Sequence, residues 1–298
     1  MKLAIPPFSD LDNFPAPGLY AGLSAETYHG DREAVGNSTL GLLLRSPRHF
    51  KHHQEHGQAT DTPALAAGRR LHSCVEWLLT GCDPANEVAV FEGRRAGKAW
   101  QAFKEEAEAA GKAVWSATEY DAATALAFAI VGNPVVAASA TDALIEVTAV
   151  ADIDGHWIKA RADMIATSGP HAGAIIDFKT TTDASPEGFL RSVDRYQYDR
   201  QAALYLEVFQ RAGVNVDHFI LVAVEKEPPY LAQAYELDEG ILFAGRRQYR
   251  HALSLLKRCI EQNAWPGYCT DDLHHLEAPS WGRFAPEVIT LNGQEVAL

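Results

Sequence analysis

Ile158-Lys159-Ala160-Arg161-Ala162-Asp163 and, a short loop later, Gly173-Ala174-Ile175-Ile176-Asp177-Phe178-Lys179 read as neighbouring β-strands that carry carboxylates at their ends. Side chains alternate along a strand, so Asp177 and Lys179 project to the same side. With Asp163 on the adjacent strand, both carboxylates can meet one hard cation. Magnesium takes few oxygen ligands from protein and leaves the rest to water and substrate phosphate. The carbonyl of Phe178 can add another oxygen. A lysine beside such a cluster can hold or help deprotonate a water molecule, while the cation offsets charge on a phosphate. Asp-x-Lys is also what an ordinary strand-end ion pair looks like, and that reading stays open at this point.

The neighbouring sequence fits a sheet. Strands are expected over Ala143 to Ile153, His156 to Ala166 and Gly173 to Thr180, split by turns at Asp154-Gly155 and Ser168-Gly169-Pro170. Upstream, helices are expected over Thr39 to Arg45, Pro63 to Leu79, Gly97 to Ala110 and Thr118 to Val131, the last behind a capping box at Ser116 and Glu119. The polar run His49 to His56 reads as a surface loop, and residues 1–36 as irregular. Downstream come a helix over Tyr198 to Ala212, strands over His218 to Glu225 and Tyr230 to Leu237, and a helix from Asp238 to about Gln262. This order predicts one α/β domain over residues 1–298, with a mixed central sheet flanked by helices and a helical N-terminal portion.

The chain has 298 residues, 47% of them apolar and 22% charged, which is globular composition. With 26 basic and 39 acidic residues the formal charge is −13, which argues against a passive nucleic-acid coat but not against an enzyme with one local DNA groove. No apolar run is long enough to span a membrane, and prolines at 6 and 7 interrupt any signal peptide, so a cytosolic protein is expected. The four cysteines, Cys74, Cys82, Cys259 and Cys269, are too scattered for a disulfide scaffold.

Two helices bring further polar groups. Gly68, His72 and Glu76 are spaced four apart and share a face, and a glycine there lets a substrate approach closely. Tyr198, Gln201 and Tyr205 can likewise face one way and hold a phosphate or base edge. The plain alternatives are a structural histidine, and tyrosines packed in the core with Gln201 satisfying their hydroxyls.

Taken in order, these features resemble the RecE-type exonucleases (exodeoxyribonuclease VIII) of the PD-(D/E)XK nuclease superfamily. The resemblance runs from about Gly18 to Trp281. It rests on Tyr28-His29, Ser46-Pro47, Gly68-x-x-x-His72, Glu146, Arg161-x-Asp163 and Asp177-x-Lys179-Thr180-Thr181. It continues through Tyr196-x-Tyr198-x-x-Gln201-x-x-x-Tyr205, Val224 to Tyr230, and Glu261 through Trp265-Pro266. It implies a magnesium-dependent exonuclease, with Mn2+ as a substitute, that degrades linear double-stranded DNA from 5′ to 3′ and leaves 3′ single strands for recombination. It implies Asp163, Asp177 and His72 as metal and catalytic residues, Lys179 as the catalytic lysine, and Phe178 and Glu146 as supporting metal ligands. Tyr198, Gln201, Tyr205, Arg161 and Thr180 would contact substrate. A RecT-type single-strand annealing partner and a homo-oligomeric ring, a tetramer, are expected on the same ground. The family usually has proline before the first catalytic aspartate; here it is Ala162. The cysteine spacing does not match the iron–sulfur relatives, so no cluster is expected.

Local basic clusters at Arg69-Arg70, Arg94-Arg95 with Lys98, and Arg191 with Arg195 and Arg200 are candidates for lining the groove. The competing functions are an endonuclease on the same fold, a catalytically silent DNA-binding protein, and a hydrolase of small phosphate esters.

Overall fold

A computed structural model describes residues 2–57, 62–268, 273, 275, 288–291 and 294–297. They divide into two units, Met1–Trp265 and Pro266–Leu298. The first contains, in order, β1 (Gly18–Tyr20), α1 (Ala25–Gly30), α2 (Asn37–Arg45), α3 (Pro47–His56), α4 (Pro63–Thr80), α5 (Pro84–Glu87), β2 (Val88–Val90), α6 (Gly97–Ala109), β3 (Ala113–Trp115), α7 (Ala117–Val131) and α8 (Pro134–Ser139). It continues with β4 (Leu144–Ile153), β5 (His156–Ile165), β6 (Ala174–Thr181), α9 (Pro186–Tyr196), α10 (Tyr198–Arg211), β7 (His218–Glu225), β8 (Ala232–Glu236) and α11 (Glu239–Gln262). In the second unit β9 (Val288–Leu291) pairs antiparallel with β10 (Gln294–Ala297).

The main sheet has six strands in the order β1-β4-β5-β6-β7-β8. Only β6 and β7 pair in parallel, and their connection runs through α9 and α10. The β4–β5 hairpin turns at Asp154 (φ 56°) and Gly155 (φ 83°), two successive positive values that match the twist of the flanking strands. One face of the sheet packs against α2, α10 and α11 through Ala160, Ile175, Phe219, Leu206 and Leu253. The other packs against α4 and α7 through Met164, Ile176, Val222, Val75 and Ala127. A mixed sheet flanked by helices is thus the observed fold. Among the described residues no helix is long and apolar enough to cross a membrane.

The predicted elements around the sheet form with boundaries shifted by a residue or two, and Ser116 and Glu119 make the expected capping box. Two expectations need correction. His49 to His56 is no loop: it lies in helix α3, which Ser46 caps by accepting from the His49 N–H and whose single buried residue is Phe50. Residues 1–36 are not wholly irregular, because they supply edge strand β1 and helix α1. Buried Lys159 fastens this segment, donating to the carbonyls of Tyr28 (2.7 Å) and Asp31 (2.9 Å) and pairing with the Asp31 carboxylate (2.8 Å).

The sheet contains one break in alternation. Val147, Ala149, Ala160 and Ala162 face the α10 side, whereas Ile145 and Met164 face the α4 side. Positions 145 and 147, and likewise 162 and 164, would share a face in a regular strand. Both strands therefore switch faces at one rung, the rung of Glu146 and Asp163. Glu146 achieves the switch in the left-handed region at φ 50°, rare for a residue with a side chain. Pairing is regular on either side, at Ile145↔Met164 and Val147↔Ala162.

Two outcomes check this account. Deleting the carboxylate as Glu146→Gly should leave a protein more stable than Glu146→Ala by about 1 kcal/mol, the reverse of the usual order within a strand; paired urea melts decide it. Helices α10 and α11 meet so closely that a Cβ at Gly245 would lie 2.0 Å from the Asp199 carbonyl oxygen. Gly245→Ala should cost roughly 3 kcal/mol through overpacking and lower the urea midpoint accordingly.

Candidate active site

The rung where alternation breaks is also where the sheet forks. Strands β5 and β6 pair at Met164↔Ile176 and Ile165↔Ile175, and the ladder ends there. The next positions in register are Asp163 and Asp177. In place of a strand–strand bond, the N–H of Phe178 donates to Asp163 Oδ2 at 2.8 Å. Glu146, Asp163 and Asp177 thus occupy one row across three adjacent strands. All three line a cleft of about 600 Å³.

Helix α4 closes one side of that cleft. Its Leu71, Cys74 and Val75 are buried against the sheet, which turns Gly68, His72 and Glu76 to the cleft, as their spacing predicts. His72 Nδ1 lies 3.2 Å from Asp163 and 3.8 Å from Glu146. Burial works against an imidazolium here, but the two carboxylates outweigh it and raise its pKa to about 10. One donor atom from each of His72, Glu146 and Asp163 falls within 4.8 Å of the others.

Helix α10 supplies the other side. Gln201 Nε2 donates to Asp177 Oδ1 at 2.7 Å. The Lys179 ammonium contacts Asp177 Oδ2, yet this buried oxygen accepts no hydrogen bond of proper geometry. Burial disfavours charge on Lys179, but Asp177 and Asp163 outweigh it and raise its pKa, so the ammonium form is held. Burial raises the Asp177 carboxyl, while His72 and Lys179 pull Asp163 the other way against its own burial. Tyr198 lies outside the lining, with its ring 4.9 Å from Lys179 Nζ. Tyr205 lines the cleft and is partly buried, with its hydroxyl pKa raised by desolvation.

The structure brings together His72, Glu146, Arg161, Asp163, Asp177, Lys179, Gln201 and Tyr205. Phe178 packs its ring into the α4-side core, and Thr180, two residues on, lies off the cleft. Arg161 is committed to the protein itself. It donates to Thr148 Oγ1 at 3.2 Å and to the Leu23 carbonyl, sits 3.7 Å from Glu146 and stacks 4.7 Å over Tyr28. The basic clusters do not assemble as one groove. Arg70 and Arg95 pair with Glu119, Arg191 lies 3.8 Å from Asp183, and Arg200 is buried against Asn37; Arg69 alone of these lines the cleft. Cys74 and Cys259 are buried thiols, and Cys269 lies outside the described residues.

Of the wall contributed by residues 22–29, sequence reasoning singled out only Tyr28-His29 and missed Leu23 and Ala25, which also face the cleft. Its local signal was present: Ser24 caps α1 by accepting from the Thr27 N–H.

The donor set suits a divalent cation. The imidazole of His72 and the carboxylates of Glu146 and Asp163 converge, and beside them a buried oxygen of Asp177 accepts no hydrogen bond of proper geometry. A protein from Eubacterium rectale provisionally described as an exonuclease shares this fold. It superposes with a TM-score of 0.56 and 13% identity, over 86% of this chain and 96% of its own. A second structure, that of SSO0001, gives a TM-score of 0.34 and 16% identity over 82% of this chain and 89% of its own, too low to argue from. Among curated protein sequences none matches. A family model described as a PDDEXK-like domain of unknown function, DUF3799, matches residues 36–271, and the chain, with its PD-(D/E)XK nuclease fold, belongs to that family.

Proposed function

We propose that this protein is a divalent-metal-dependent DNA exonuclease. One observation carries the reading: Glu146, Asp163 and Asp177 form a row across three strands, with His72 on one side and Lys179 on the other. His72, Glu146, Asp163 and Asp177, with the Phe178 carbonyl, would hold the ion, Mg2+ or Mn2+. Bound there, it would supply Lewis-acid charge toward a phosphodiester and favour ionisation of the attacking water.

The chain's own residues complete the chemistry. Lys179, kept as ammonium by Asp177, offsets the negative charge that grows on the phosphate as water attacks. Gln201 fixes the carboxylate plane of Asp177. Arg69 at the rim can meet a neighbouring phosphate. Hydrolysis breaks one P–O bond with no covalent enzyme intermediate.

Exonuclease is preferred to endonuclease on the family resemblance. The name borne by the E. rectale neighbour points the same way. Polarity from the 5′ end, a RecT-type annealing partner and a ring assembly follow from the family resemblance and belong to the proposal at that level; a cytoplasmic setting is proposed from the sequence alone.

With Mg2+, a linear duplex labelled at one 5′ end should release labelled mononucleotide while covalently closed circles stay intact. Cutting of the circles would instead make the protein an endonuclease. DNA binding without digestion would make it a binding module. Lys179→Ala should lower turnover by about 10²- to 10³-fold without weakening DNA binding. Gln201→Ala should weaken Mn2+ binding roughly 10- to 100-fold, because Asp177 loses the group that orients it; titration calorimetry reads this independently of cleavage.

A further inference from the structure

Among the described residues nothing requires a glycine at position 68. It is the sixth residue of α4, well inside the helix, where glycine is the weakest helix former after proline. Its φ lies outside the positive range that favours glycine, and a Cβ built there meets no atom of the described residues within 4 Å. Elsewhere in the fold close packing does require glycine: at Gly245 the corresponding Cβ would strike the backbone of α10. At Gly68 the missing side chain leaves open space, and that space belongs to the cleft.

The surroundings define what passes. Gly68 stands one helical turn before His72, between the carboxylate row and the mouth. The lining toward the mouth is mixed: Leu23 and Ala25 of the N-terminal wall and Ala64 and Leu65 of α4 are apolar, beside Ser24, His29 and Arg69; Leu65 is 44% exposed. Apolar walls suit deoxyribose and base faces, whereas the acidic floor repels phosphate unless a cation is present.

We propose that Gly68 is the passage residue of the cleft: its missing side chain keeps open the channel by which a DNA strand reaches Glu146, Asp163 and Asp177. The inference rests on the nuclease reading above and adds that the strand passes over this helix turn.

The series Gly68→Ala, Gly68→Val and Gly68→Leu tests it, with Ala67→Leu as control, since Ala67 is exposed and outside the cleft lining. Digestion of linear DNA should fall with side-chain volume, by at least about tenfold from Ala to Leu, in line with steric exclusion from a fixed site. Mn2+ binding should stay at the wild-type value throughout. Gly68→Ala should melt about 2 °C higher than wild type, because helix propensity improves and nothing is displaced. Undiminished digestion by Gly68→Leu would overturn the proposal. So would a loss of Mn2+ binding in step with activity, since the glycine would then serve the carboxylate cluster. Failure of wild type to digest DNA, with Mn2+ bound, would instead count against the nuclease reading itself.

Discussion

Three carboxylates in one row of a buried sheet are the constraint around which this molecule is arranged. Each ionised carboxylate taken from water carries a desolvation cost of several kcal/mol unless it is paired or hydrogen-bonded. The surrounding elements each supply a partner: His72 from α4, Lys179 from β6, Arg161 from β5, Gln201 from α10 and the Phe178 N–H from the backbone. These partners leave one oxygen of Asp177 without a directed hydrogen bond. An acidic row completed only in part by the protein is the arrangement expected of a site that receives a cation.

The backbone makes room for that row by giving up regularity at one rung. Alternation switches in β4 and β5 together, so neither strand loses register with the other. The β5–β6 ladder stops at the same level, and the freed Phe178 N–H is satisfied by Asp163 rather than by a carbonyl. Strain at Glu146 and a fork between strands are therefore two sides of one device. The hydrophobic cores above and below hold the irregular rung in place, since each half of the hairpin buries its own apolar set.

Much of this was legible in the sequence because the central elements obey simple periods. The apolar run before Asp177, the Asp154-Gly155 turn and the fourfold spacing of Gly68, His72 and Glu76 each have one dominant physical reading. The face switch was not legible. Glu146 sits in an ordinary strand pattern, and no glycine or asparagine marks its left-handed backbone. Helix α3 was hidden because its surface is polar nearly all round and only Phe50 is buried. Helix α9 escaped because its boundary with α10 is a left-handed glutamine, Gln197, where a glycine would have signalled a stop. The tertiary contacts of Arg161 with Thr148, Leu23 and Tyr28 were not legible, because no local pattern reveals them.

Arg161 explains how the cleft acquires its last wall. Its guanidinium joins Glu146 of the acidic row to the Leu23 carbonyl and the Tyr28 ring. One strand position earlier on that side, Lys159 fastens Tyr28 and Asp31. Both cations lie on β5, two residues apart, so they rise from one face and clamp one segment. That segment, residues 22–31, precedes the span of the family model, which begins at residue 36. The carboxylate floor is thus built from elements within the span of the family model, while a further wall precedes that span and is tied down by strand residues within it. Substitutions in residues 22–29 can reshape the mouth without touching the carboxylates, provided Arg161 and Lys159 keep their backbone acceptors. Both cations bond mainly to main-chain carbonyls there, so the clamp tolerates changes in the wall's side chains, and the cleft's selectivity can be altered separately from its chemistry.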